Sequence, residues 1–250
     1  MFRDLVDDLH GFSLEPEMLL DVPFVPSDEA VIEAMLNLGE VGPSDLLYDL
    51  GSGDGRILIT AARDRNTRGI GVEIDPLRIS DAMEDAAHFR VEYLLDFIEE
   101  DLFTVDIKDA TVMTLYLLES INIQLRPRLL NELRPGSRII SHAFDMGDWK
   151  ADKQLELGGV NIYKWVVPAQ VAGIWEWDSV DDQRYRIELQ QKYQEVTGSA
   201  WLADQKVTLK NATLCGDTLE LSIQGKKASS LKHFTLTFDK GELQTIFEDS

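Results

Sequence analysis

The fold is decided by residues 46–56, which read LLYDLGSGDGR. An apolar run ends at Gly51, Gly53 and Gly55, and helix-forming residues follow from Arg56. The run predicts a strand that is buried on both faces. Glycines at this spacing predict a turn where the backbone takes left-handed angles and a ligand can approach closely. A strand, a glycine turn and a helix indicate the first crevice of an open α/β sheet.

The residue types in this turn indicate which ligand it suits. The spacing G-x-G-x-G differs from the dinucleotide fingerprint G-x-G-x-x-G, and the turn lacks the Gly-Lys-Ser/Thr of a P-loop. Asp49 and Asp54 would repel a pyrophosphate, whereas they suit a ligand with positive groups and hydroxyls. S-adenosylmethionine carries a sulfonium, an ammonium and a ribose, and it has no phosphate. Taken alone, the motif also allows a tight strand–helix turn without a ligand.

Two further strands of the same kind carry acidic residues at their carboxyl ends. Residues 68–75 predict the second strand, and Glu73 is expected to bind the ribose hydroxyls. Residues 95–103 predict the third strand, where Asp101 is expected to bind the adenine amino group. Leu102 is expected to offer an apolar face or a backbone N–H to the adenine ring. Because the carboxyl ends of parallel strands meet at one edge, these residues are expected to share one site.

The rest of the chain divides into two parts by pattern. Strands alternate with helices as far as residue 168, which predicts a Rossmann-like doubly wound sheet as the first domain, 1–168. Ser27 is expected to cap the first helix of this domain, and Pro127 predicts a kink or a late start in a helix over residues 119–133. Over 169–250, apolar residues alternate with polar ones between turn residues. This predicts a small antiparallel β domain, a barrel or curled sheet of about six strands.

Composition limits the class of protein. With 44% hydrophobic residues among 250, the chain can bury a substantial core. Its net charge of −21 disfavours nucleic acid and anionic membranes as partners, and it suits a basic partner, solubility or salt adaptation. No apolar run approaches the roughly 20 residues that span a bilayer, and acidic residues near the N-terminus disfavour a secretory signal.

One cysteine, Cys215, excludes an internal disulfide, so a cytoplasmic location is expected. No spacing of ligand residues indicates a metal site.

Three segments resemble motifs of the class I (seven-strand) S-adenosylmethionine-dependent methyltransferases: residues 49–55, 73–75 and 100–102. A narrower resemblance rests on residues 23–27, PFVPS, placed ahead of residues 48–56. This combination is similar to the small lysine methyltransferases that modify mitochondrial carrier and ATP synthase subunits, and to their prokaryotic relatives. The resemblance covers about residues 22–149 and implies an enzyme that methylates a protein lysine. The β-rich part has no counterpart in that group.

The resemblance also implies the site residues. Residues that follow the fourth strand face the methyl acceptor in this family, so Tyr116 is expected to be catalytic, with a core aromatic as the alternative. Of the four histidines, His142 is the one expected near the pocket. A small-molecule N- or O-methyltransferase whose β domain shapes the acceptor pocket, and a non-catalytic cofactor-binding or scaffold protein, are the alternative functions. The implied cofactor-binding residues are Pro26, Ser27, Asp49, Gly51, Ser52, Gly53, Glu73, Ile74, Asp101 and Leu102.

Overall fold

The computed structural model describes residues 27–225 and 231–249. The expected role of Pro26 at the cofactor pocket falls outside these ranges. Within the ranges, no helix has the length and apolar character needed to cross a bilayer.

A sheet with helices on both faces forms the first part of the described chain. The helices are α1 (Glu29–Leu38), α2 (Arg56–Arg65), α3 (Pro76–His88) and α4 (Glu119–Glu132), with a 3₁₀ turn at Glu92–Leu94. The strands are β1 (Leu46–Leu50), β2 (Arg68–Glu73), β3 (Leu95–Glu99), β4 (Val112–Leu115), β5 (Arg138–His142), β6 (Lys153–Leu157) and β7 (Val160–Val166).

The strand order of this first sheet is β3-β2-β1-β4-β5-β7-β6. Strands β1 to β5 are parallel, and β7 runs antiparallel to both β5 and β6. The predicted doubly wound sheet is therefore confirmed. The order reverses between β1 and β4, and ligands of such sheets bind beyond the carboxyl ends of the strands at this point.

Successive residues of β1 pack into two different hydrophobic cores, one on each face of the sheet, because side chains alternate between the two faces of a strand. Leu47 packs on the side of α1 and α2, in one cluster with Ile140 of β5 and Ile162 of β7. Tyr48 and Leu50 pack on the opposite side, where α4 contributes its apolar residues. Four of the five residues of β1 are buried, which explains why the strand reads as a continuous apolar run.

Seven consecutive antiparallel strands form the second sheet, one more than the predicted six or so. Its polar, half-exposed strand β11 shows a weak alternation of apolar residues, which makes the strand count hard to read from sequence. The strands are β8 (Gly173–Asp178), β9 (Arg184–Lys192), β10 (Glu195–Leu202), β11 (Gln205–Cys215), β12 (Thr218–Gln224), β13 (Leu231–Asp239) and β14 (Glu242–Asp249).

The second sheet curls until strands far apart in its order face each other. The ring of Trp177 on β8 lies 5.1 Å from that of Phe234 on β13, and Tyr185 packs against Phe234 at 4.9 Å. The Val180 N–H, just after β8, donates to a carboxylate oxygen of Glu248 on β14. The predicted curled sheet is confirmed. The first sheet ends at Val166 and the second begins at Gly173, so a domain boundary near residue 168 stays a prediction compatible with this gap.

Two local predictions are wrong, and the sequence pattern misses one strand. Strand β6 is an exposed edge strand that lacks the apolar run of a buried one, and the pattern did not reveal it. Helix α4 begins at Glu119 and continues through Pro127, so it has no late start. Asp28 occupies the N-cap of α1 in place of Ser27. The Ser27 side chain is buried and turned towards β5, as described below.

Candidate functional site

One row of residues runs across the carboxyl edge of the first sheet. Leu50 at the end of β1 pairs with Val72 of β2 on one side and with Leu115 of β4 on the other. Leu115 in turn pairs with Ser141 of β5. The next residue of each strand therefore stands about 4.8 Å from its neighbour across the sheet. In order across the edge, this row is Glu73, Gly51, Tyr116 and His142.

The glycine turn that follows β1 has the predicted left-handed backbone. The φ angles are +76° at Gly51, +54° at Gly53 and +73° at Gly55, which only glycine adopts without strain. The Gly51 N–H donates to the Val72 carbonyl at 2.8 Å and ties the turn to β2. A Cβ at Gly55 would lie 2.8 Å from the Phe97 ring, so this position also has no room for a side chain. The turn therefore presents bare backbone at the sheet edge.

Glu73 is held rigidly at this edge by backbone donors. Its Oε2 accepts the Gly53 N–H at 2.8 Å, and its Oε1 accepts the N–H groups of Ile74 and Asp75 at 2.9 and 3.1 Å. Each carboxylate oxygen has about two acceptor sites, so Oε2, which accepts one N–H, can still receive a ligand hydroxyl. The carboxylate expected at the ribose thus lies against the glycine turn.

Asp49 is a buried carboxyl beneath the turn. Its side chain is 2% exposed and accepts the Thr114 hydroxyl at 2.7 Å. Burial raises its pKa to about 7, and the charges of Glu73 and Asp54 act in the same direction. A cationic group brought nearby would favour the ionised form, as predicted for a ligand that carries an ammonium.

Asp54 does not have the role expected of the second carboxylate. Arg56 binds it with two nitrogens, at 2.9 Å from Nε and 2.5 Å from Nη2. The same guanidinium donates from Nη1 to the Ser27 carbonyl at 3.0 Å. Asp54 is therefore used inside the protein, where it helps Arg56 attach the segment before α1 to the glycine turn.

The structure brings most of the predicted adenine-binding residues to the same edge. The Glu100 N–H donates to the Glu73 carbonyl at 3.1 Å, which places residues 100–102 beside the end of β2. Asp101 is exposed, and it accepts the Phe103 N–H at 2.8 Å. Leu102 is half-buried, and Ile74 is 44% exposed.

Ser52 is the predicted residue whose side chain the structure places apart from the others. A Cβ on Gly71 would lie 2.7 Å from Ser52 Oγ, so this hydroxyl points under the turn, against β2. It is buried and has no hydrogen-bond partner among the described residues. Its backbone N–H is bonded to the Val72 carbonyl.

Tyr116, His142 and Ser27 form a cluster beyond the ends of β4 and β5. The rings of Tyr116 and His142 stack with centroids 3.8 Å apart and an angle of 26° between their planes. His142 is 4% exposed, and its Nδ1 is hydrogen-bonded to Ser27 Oγ at 3.0 Å. Burial lowers the pKa of His142. Sequence reasoning placed His142 near the pocket and missed its bond to Ser27, because 115 residues separate the two.

Comparisons with known proteins decide the family. The sequence profile of the ANTKMT methyltransferase domain matches residues 49–153. A protein-lysine N-methyltransferase of Saccharolobus islandicus is 40% identical over 151 residues, which make up 58% of this chain and 94% of that relative. The chain belongs to this family of methyltransferases. It is a methyltransferase that uses S-adenosylmethionine, as the motifs predicted.

Two other relatives of this methyltransferase differ in their names. The adenine nucleotide translocase lysine N-methyltransferase of Mus musculus is 29% identical over 56% of this chain, which spans 60% of that protein. A structure described as an RNA methyltransferase of Salinibacter ruber, in complex with S-adenosyl-L-homocysteine, is 48% identical. It covers 59% of this chain and 96% of its own, with a TM-score of 0.58.

The chemistry of the edge fits S-adenosylmethionine. The groups that face the ligand in the predicted site are carboxylates and bare backbone, and the nearby guanidinium of Arg56 is already paired with Asp54. Carboxylates repel a phosphate, whereas they suit hydroxyls and an ammonium. Glu73 at the end of β2 occupies the place where sheets of this kind bind a ribose.

The second sheet makes this chain longer than two of these relatives. This chain already accounts for 94% of the Saccharolobus protein and 96% of the Salinibacter chain. The unmatched parts of both are too short to form seven strands. The curled sheet is therefore an addition to the methyltransferase unit.

Proposed function

We propose that this methyltransferase transfers methyl groups to lysine side chains of proteins. The observation that carries the proposal is the protein-lysine N-methyltransferase matched over 94% of its length. The acidic chain, with a net charge of −21, is compatible with a basic protein acceptor.

We also propose the cytoplasm as its location, supported by the lone cysteine. We further propose a division into domains 1–168 and 169–250, supported by the gap between the sheets.

The reaction needs few groups from the protein beyond those that bind and orient. S-adenosylmethionine supplies a methyl group on a sulfonium: as the amine nitrogen bonds to the methyl carbon, the carbon–sulfur bond breaks and a neutral thioether leaves. A lysine ammonium must lose its proton to water before attack, since its ordinary pKa is about 10.4. The buried imidazole of His142 and the Tyr116 ring stacked on it favour the neutral amine by desolvation.

We propose that cofactor binding and acceptor binding are divided along the row of residues at the sheet edge, which is Glu73, Gly51, Tyr116 and His142. The glycine turn, Asp49 and Glu73 hold the cofactor at the ends of β1 and β2, with Ile74, Asp101 and Leu102 around the adenine. Tyr116 stands one strand further and orients the acceptor amine. Much of the rate enhancement in such a transfer comes from holding the two reactants in line.

Incubation with radiolabelled S-adenosylmethionine and a native lysate tests the lysine assignment. Labelled protein that yields methyl-lysine on hydrolysis is the expected result. Glu73→Gln, which removes the charged acceptor facing the ribose, should abolish most of the labelling while the variant stays folded. Label confined to small molecules would contradict the proposal and favour a small-molecule acceptor.

RNA methylation is the second candidate, favoured by the description of the Salinibacter structure. A surface with a net charge of −21 opposes RNA binding, because affinity for a phosphate backbone rests largely on lysine and arginine contacts. Digestion of the labelled lysate with ribonuclease or with protease separates the candidates. Label removed by ribonuclease alone would assign this chain to RNA.

A further inference from the structure

We propose that Ser27 and His142 are positioning residues that hold the Tyr116 ring against the methyl acceptor. The inference rests on the proposed methyl transfer at this edge, and it adds the pair that fixes the acceptor side. The two residues come from separate elements, the segment before α1 and the end of β5. They meet beside Tyr116, one strand from Gly51 of the glycine turn.

The stacked geometry restricts the Tyr116 ring. Its centroid lies 3.8 Å from that of His142, so the histidine ring forms a wall along one face of the phenol. His142 cannot rotate freely, because its Nδ1 is bonded to Ser27 Oγ. Arg56 at the start of α2 holds Ser27 in turn, because its guanidinium donates a hydrogen bond to the Ser27 carbonyl. A series of contacts thus links the glycine turn to the plane of the Tyr116 ring.

The backbone after His142 is also held, and it carries strain. Ala143 has a φ of +67°, a region that a residue with a Cβ rarely adopts, while the Phe144 N–H donates to the His142 carbonyl at 2.9 Å. The Ser141 hydroxyl donates to the Phe144 carbonyl at 2.6 Å. Strain of this kind costs on the order of 1–3 kcal/mol and persists where surrounding contacts enforce it, often at functional sites.

Helix α4 supplies further contacts from the opposite side. The fully buried Asn122 donates from Nδ2 to Ser141 Oγ at 3.1 Å and to the carbonyls of Phe144 and Asp145 at 3.3 Å. The Ala143 N–H donates to the Asn161 carbonyl of β7 at 2.8 Å. His142 is therefore fixed by α4, β7 and Ser27 together. Such a degree of constraint exceeds what the hydrogen bonding of one buried imidazole requires.

A second Ser–His pair in the same chain shows what a purely structural pair looks like. Ser222 Oγ and His233 Nδ1 are 2.9 Å apart across β12 and β13 of the second sheet. His233 is exposed and lies in another sheet from the proposed site. This pair provides a matched control, because Ser222→Ala removes the same type of hydrogen bond as Ser27→Ala.

The experiment compares Ser27→Ala, Ser27→Thr, His142→Phe and Ser222→Ala for initial rate of label transfer and for S-adenosylmethionine affinity by calorimetry. Label is counted in any macromolecular acceptor, so the comparison does not depend on lysine being the target. Hydrolysis of the labelled protein tests separately whether the methylated residue is lysine. Thermal unfolding identifies any variant that fails to fold, and Ser27→Thr keeps the inference testable if His142→Phe fails.

We expect Ser27→Ala and His142→Phe each to lower the turnover rate about tenfold to a hundredfold, because a misplaced orienting group loses alignment. Cofactor affinity should change less than twofold, Ser27→Thr should restore most of the rate, and Ser222→Ala should behave as the wild type. The double variant should be no slower than the slower single variant, since one interaction is lost in both. Equal rates for Ser27→Ala and Ser222→Ala, or a loss confined to cofactor affinity, would overturn the inference.

Discussion

At the scale of residues, Asp49 shows how a buried carboxyl reduces stability. A carboxyl taken out of water prefers its neutral form, and burial raises the pKa of Asp49 from its ordinary 3.8 to about 7. Thr114 compensates for part of this cost by donating its hydroxyl. The residue lies beneath the turn, where we expect it to meet the cationic end of the cofactor. The buried carboxyl therefore lowers stability when it is ionised without a cation nearby.

Asp49→Asn should stabilise the cofactor-free protein in a pH-dependent way. Folding favours the protonated carboxyl, so the wild type loses stability as the pH rises from about 4 to about 7, and the isosteric amide does not. The difference in unfolding free energy should be near zero at pH 4 and reach about 2–4 kcal/mol above pH 7. Urea unfolding of both proteins across this range measures it. A difference that is the same at every pH would contradict the raised pKa.

At the scale of elements, the glycine turn depends on the strand beside it. Gly71 lies in the middle of β2. Because it has no side chain, two neighbouring groups fill the space beside it: an added Cβ would lie 2.6 Å from the Phe97 ring and 2.7 Å from Ser52 Oγ. Ser52 belongs to the turn, and Phe97 also packs against Gly55. The conformation of the turn is therefore set partly by a residue outside the motif.

Gly71→Ala should lower the unfolding free energy by about 1–3 kcal/mol, because the added methyl group overpacks a filled site. Gly42→Ala is the matched control: its Cβ would meet no atom within 4 Å, and its φ needs no glycine. Chemical denaturation of the two variants measures the difference. Equal stabilities would show that Phe97 and Ser52 move aside without cost.

At the scale of the whole molecule, the second sheet is fastened to the loop that follows β5. The indole N–H of the fully buried Trp149 donates to Gln194 Oε1 at 2.8 Å, and Gln194 Nε2 donates to the Lys150 carbonyl at 2.7 Å. Tyr193 stacks on Trp149 with ring centroids 5.8 Å apart. The turn between β9 and β10 therefore covers residues 145–150, close in sequence to the strained Ala143.

Gln194→Ala should destabilise the whole chain by about 1–3 kcal/mol, since it leaves a buried indole N–H without its acceptor. The exposed Gln190 on β9 offers a control of the same residue type, and Gln190→Ala should change stability by less than about 0.5 kcal/mol. Tryptophan fluorescence during denaturation reports both. If the two variants matched, the contact between the sheets would contribute nothing to stability.

The sequence by itself determined the doubly wound sheet, the glycine turn and the cofactor, because these depend on local patterns. A buried parallel strand must be apolar along its length, a left-handed turn selects glycine, and a strand end is recognisable from the residues beside it. The carboxylate Glu73 could be placed for the same reason, since each parallel strand brings its carboxyl end to one edge. The edge strand β6 and the weakly alternating β11 lacked such a pattern.

The tertiary structure alone decided which partners the polar side chains take. The sequence predicts Ser27 as a helix cap, yet it bonds to His142 across 115 residues, and Asp54 pairs with Arg56. Hydrogen bonds depend on positions within a few tenths of an ångström, and contacts between distant segments leave no periodic signal in the chain. For this reason the cofactor side of the site follows from sequence, whereas the arrangement around Tyr116 emerges only when β4, β5 and the segment before α1 come together.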